Sequence, residues 1–106
     1  MLYNKKHENG DIVVLKLVTG EEVIAKLVEG DMGHIRISKP MMIVHTPKGL
    51  AMSQYIMMQD INDVIVIDVS KVIAVTSANN VASSQYQETV SSIKVPTQAE
   101  KSKIIQ

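Results

Sequence analysis

The sequence predicts a mainly β protein: a small, strongly bent, five-stranded antiparallel barrel followed by one C-terminal helix. Three observations carry this. Residues 12–31, IVVLKLVTGEEVIAKLVEGD, alternate apolar and polar side chains on both sides of Thr19-Gly20. Val13, Leu15 and Leu17, then Val23, Ala25 and Leu27, recur at period two, so one face of a hairpin is apolar. Further short apolar runs follow, each bounded by turn residues, and after Ser77 the period becomes helical. At least five short strands and one terminal helix suit a small bent barrel.

The elements follow in order. Residues 1–10 form a polar N-terminal arm that ends in the turn dipeptide Asn9-Gly10. The first strand covers about residues 11–18 and the second about 21–29, joined where Gly20 permits a tight reversal. Gly30-Asp31-Met32-Gly33 is a second turn, and residues 34–38 then alternate cleanly. Pro40 interrupts this strand before residues 41–44 resume it. Proline cannot donate to a ladder, so the strand is bent or lies at an edge there. Pro47-Lys48-Gly49 makes another turn. Residues 50–58 read as a strand with Leu50, Met52, Ile56 and Met58 on one face. A helix would instead group Met52, Tyr55 and Ile56, but the flanking turns favour the strand.

Residues 60–63 break the pattern. Residues 64–67 are a β-branched strand, 68–71 a short turn, and 72–76 a last strand. Asn79 or Asn80 caps a helix over about 80–92, in which Ala82, Tyr86, Val90 and Ile93 share a face. The expected organisation is an arm at 1–10, a barrel at 11–77, a helix at 78–93 and a flexible tail at 94–106.

Composition narrows the functional classes. The 106 residues carry 11 basic and 11 acidic side chains, for a formal net charge of zero. A whole-chain electrostatic footprint for nucleic acid is therefore absent, and any positive patch is local or built by repetition around an oligomer. Three tyrosines with no Phe or Trp leave few rings for base stacking, and seven Met help fill the core. Without cysteine there is no disulfide framework or thiol chemistry. The polar opening and the lack of an apolar run near ~18 residues lead us to expect a cytoplasmic protein with no membrane partner.

The spacing of Val13, Leu15, Leu17, Gly20, Val23, Ala25, Leu27 and Asp31 resembles the first motif of the Sm-like family, the Sm, LSm and Hfq proteins with an SH3-like barrel. Ala25 stands where glycine is usual, and a small side chain there lets the second strand curl. Residues 64–76, VIVIDVSKVIAVT, look like that family's fourth strand, one-turn bridge and fifth strand. The likeness covers about residues 11–77. The family's usual helix is N-terminal rather than C-terminal, and the short loops with a C-terminal extension look like phage-type members. The host cytoplasm is then the expected compartment.

This resemblance implies a closed homo-oligomeric ring of roughly five to seven subunits, in which the fourth strand of one subunit pairs with the fifth of the next. The interface would comprise Val64, Ile65, Val66 and Ile67 against Val72, Ile73, Ala74 and Val75. Two short apolar edges of this kind need cover. The resemblance also implies single-stranded RNA, in U-rich form, at the pore. Asp31 would shape the first loop, Met32 would offer a polarizable surface, His34 would contact the base, and Ser70 and Lys71 would hold base and phosphate.

Each of these has a plainer reading. His34 and Lys71 are also ordinary solvated loop residues. Asp68-Val69 stands in place of the Arg-Gly pair of Sm proteins, and Asp68 partly cancels a lysine collar. An oligomeric scaffold that binds protein instead of RNA is the alternative function. Glu21 and Glu22 point to opposite faces of a strand, residues 60–63 lack the pattern of a calcium loop, and His7, His34 and His45 show no metal spacing. No catalytic constellation, cofactor, metal or small-molecule substrate is expected.

Overall fold

The computed structural model describes residues 7–92. Six strands make one antiparallel sheet: β1 (Ile12–Leu17), β2 (Glu22–Gly30), β3 (His34–Thr46), β4 (Gly49–Gln54), β5 (Val64–Asp68) and β6 (Val72–Ser77). The single 3-10 turn Val69–Lys71 joins β5 to β6, and α1 (Asn80–Ser92) follows. Strand order is β4-β3-β2-β1-β6, and β5 also pairs with β3. The barrel expected to be five-stranded has six strands, one for each of the strand segments read from the sequence, and the 13-residue β3 holds two partners along one side. Its first half pairs with β5, from His34↔Asp68 to Ser38↔Val64, and its second half pairs with β4, from Met41↔Gln54 to Thr46↔Gly49. The sheet is not closed, since β5 and β6 do not pair with each other.

Pro40 marks the switch between those partners. Lys39 adopts a positive φ of 49°, and across from it the β2 register steps from Ile24↔Met41 to Lys26↔Ser38. Lys39 and Pro40 on β3 thus oppose Ala25 alone on β2, which is a bulge that bends the strand. Ala25 is fully buried in the crook. β4 stops at Gln54 rather than continuing to residue 58. The Tyr55 N–H still donates in register to the Pro40 carbonyl at 3.2 Å, but proline has no N–H to return, and Gln59 N–H then closes a turn onto the Ile56 carbonyl.

The bent sheet encloses one core with Val13, Leu15, Leu17, Val23, Ala25, Leu27, Ile35, Ile37, Val69 and Val72. The alternation read from the hairpin supplies six of these residues. A second core lies on the opposite face, where Ile24, Met41 and Tyr86 pack with Ile12, Val14, Ile43, Met52, Ala82 and Val90. Val23, Ile24 and Ala25 are therefore consecutive buried residues, because α1 covers the outer face of β1–β3. Asn79 caps α1 through Oδ1, which accepts from Ala82 N–H at 2.7 Å. Ile93, the arm at 1–6 and the tail at 94–106 lie outside the described residues.

Candidate functional site

Two turns distant in sequence meet at one end of the sheet. The first, Asp31-Met32-Gly33, leads from β2 into β3. Asp31 Oδ1 accepts from the backbone N–H groups of Gly33 at 2.8 Å and His34 at 2.7 Å. Asp31 N–H donates to the His34 carbonyl at 2.9 Å. The second turn begins at Asp68, whose Oδ1 accepts from Ser70 N–H at 2.9 Å. Val69 N–H donates to the Gly33 carbonyl at 3.0 Å, and His34 pairs with Asp68 in the β3–β5 ladder. Val69 is buried and anchors the junction in the core.

Around this junction Asp31, Met32, His34, Ser70 and Lys71 are all exposed, with Met32 at 73%. The structure thus brings the sequence-derived candidates into one neighbourhood. It gives Asp31 a positioning role, because one oxygen is committed to two backbone donors. Met32 presents an apolar surface to solvent. Lys71 fixes the neighbouring β1 end through its backbone, accepting from Val18 N–H at 2.9 Å, and its side chain remains exposed.

The electrostatics are mixed. Hydrogen bonds from the Gly33 and His34 amides hold the Asp31 carboxyl below its ordinary range, with His34 and Arg36 adding smaller attractions. The amide and hydroxyl of Ser70 do the same for Asp68, assisted by His34 and Lys71. Arg36 Nη1 lies 2.8 Å from Glu29 Oε1 and 3.9 Å from Asp31 Oδ2. Asp68, Arg36 and Glu29 belong to this site by position although their sequence context did not single them out as binding residues. The usable signal was local: an Asp two residues before Ser70 is a capping pattern that turns its carboxylate toward the bridge.

The strands flanking the second turn hold the residues expected at a subunit interface. Ile65, Ile67 and Val75 pack partly against the first core, and Val72 is buried within it. Val64, Val66 (51%), Ile73 (57%) and Ala74 are exposed. Each of β5 and β6 has one ladder partner, β3 and β1 respectively, and so one unpaired edge among the described residues. Between β5 and the end of β1 runs a groove of about 340 Å³, lined by Leu17, Val18, Tyr55, Ile65, Val66 and Lys71 among others. Among the described residues no cluster of three or more His, Cys, Asp or Glu could hold a metal ion. No helix among them is long and apolar enough to cross a membrane.

No protein-family model matches the chain, and no curated protein matches it.

Proposed function

We propose that this chain is a ring-forming Sm-like protein that binds single-stranded RNA, with U-rich RNA as its first candidate ligand. The observation that carries the reading is the junction of the two turns, where Val69 N–H meets the Gly33 carbonyl and His34 faces Asp68. A base-binding pocket of the Sm-like kind needs two loops of this sort side by side. The bulge at Ala25 and Lys39-Pro40 supports the strongly bent barrel, and the unpaired edges of β5 and β6 support the ring. A neighbour's β6 laid along β5 would pair both of those edges, and repetition would close the circle.

Binding would be multivalent, with one weak pocket per subunit and successive nucleotides in successive pockets. Met32 and His34 would contact the base, Ser70 would donate or accept at its edge, and Lys71 would meet the phosphate. Asp31 holds the first turn in shape.

A second reading, an oligomeric scaffold for a protein partner, is favoured by Asp68 opposite His34 and by the neutral net charge. Fluorescence anisotropy with short oligo-U and oligo-A across a salt series separates the two. RNA binding predicts affinity that falls steeply with salt, and a loss of at least about tenfold in the His34→Ala, Lys71→Ala double variant. Absence of binding at low salt, or indifference to the double variant, leaves the scaffold.

A further inference from the structure

The charged groups around His34 come from five segments. Glu29 is the penultimate residue of β2, Asp31 lies in the following turn, Arg36 is on β3, Asp68 ends β5 and Lys71 closes the 3-10 turn. Three carboxylates thus face two fixed cations. Arg36 is already engaged, 2.8 Å from Glu29 and 3.9 Å from Asp31. Lys71 is offset by Asp68. While its imidazole is neutral, the neighbouring carboxylates therefore offset the cations, and the loop end holds a phosphate only weakly through Lys71.

We propose that His34 makes anion binding at this loop end proton-coupled, each subunit taking up a proton at His34 as an RNA phosphate docks beside it. This rests on the RNA reading above and says what gates it. Histidine is the side chain that ordinarily changes charge between about pH 5 and 8. The surrounding carboxylates Asp31 and Asp68 stay ionised through that window, because backbone amides stabilise their charged forms. Protonation of His34 cancels the net negative charge, and in a ring that change is repeated once per subunit. By linkage, a phosphate that binds the protonated form better must also raise the proton affinity of the site. The imidazole nitrogen gains an N–H bond as hydronium or a buffer acid in solvent gives up its proton, and no covalent bond to the phosphate forms.

The experiment is anisotropy with labelled oligo-U at fixed ionic strength, at about pH 8 and about pH 5.5. The wild type and His45→Gln should both bind at least about tenfold tighter at the lower pH, whereas His34→Gln should show a flat profile. His45 is an exposed residue near the end of β3 and serves as the control. A second readout needs no variant: the His34 ring resonance of the wild type, followed by NMR, should titrate at higher pH with oligo-U than without. Binding of equal strength at both pH values, or an unmoved His34 titration, overturns the coupling and leaves the RNA reading standing. No binding at either pH overturns both.

Discussion

His34 faces Asp68 across the β3–β5 ladder, and beside this pair the Gly33 carbonyl accepts from Val69 N–H at 3.0 Å. Backbone pairing rather than side-chain attraction thus sets the distance between the two turns. Such contacts survive changes of salt that would loosen a surface ion pair. The candidate site is therefore held on strand ends, with Val69 anchored in the core below it.

The two carboxylates that shape these turns should give the loops an acid limit. Asp31 and Asp68 both have folded pKa values lowered by amide donors. Their contribution is present above the ordinary carboxylate range and is lost as pH falls below about 4. Amide resonances of Gly33, His34 and Ser70 should shift together in that range. In an Asp31→Asn, Asp68→Asn variant those shifts should disappear.

Tyr86 should be the most sensitive position of α1. Its hydroxyl donates to the Lys39 carbonyl at 2.8 Å and lies 3.3 Å from that of Ser38, while the ring is 1% exposed. It satisfies the polar groups that the bulge takes out of the ladder. Tyr86→Phe should cost about 1–3 kcal/mol in urea unfolding, and Tyr86→Ala about 3–5 kcal/mol. Burial pushes its pKa up to about 12. The unfolded phenol ionises first, so stability is intact below about pH 10 and falls as pH rises toward 12. Tyr86→Phe should remove most of that alkaline slope.

The glycines of the two hairpin turns should behave differently. Gly20 has φ of +103°, where a side chain is strained, so Gly20→Ala should destabilise by about 1 kcal/mol or more. A Cβ at Gly33 would meet only Asp31 Oδ1 at 3.7 Å, an ordinary contact, and Gly33→Ala should be close to neutral. Paired thermal melts check the contrast.

Charge on the sheet edges should separate assembly from folding. Val66→Lys and Ile73→Lys place cations on exposed positions of β5 and β6. Either should leave the β-sheet circular dichroism intact while reducing the mass seen by light scattering. A variant that keeps the wild-type mass would move the interface elsewhere.

The hairpin of β1 and β2 was legible because its period-two pattern coincides with one buried face. The C-terminal helix was legible because Ala82, Tyr86 and Val90 fall on one stripe behind an Asn79 cap. The second core was not. Ile12, Val14 and Ile24 occupy the face that a one-sided hairpin leaves to water, and only α1 folded back over them explains their burial. The end of β4 was hidden for a similar reason. Nothing local stops the strand at Gln54; the residue opposite Tyr55 is Pro40, which accepts from Tyr55 N–H but has no N–H to give back. At the candidate site, the residues were readable one by one, but the opposition of His34 and Asp68 depends on ladder register. That is a long-range property that no single turn encodes.

The most direct test of the central claim is native mass spectrometry of the purified chain with and without a short oligo-U. The account predicts one closed oligomer of roughly five to seven subunits that takes up a single oligonucleotide per ring. A monomer at every concentration, with RNA or without it, would contradict it.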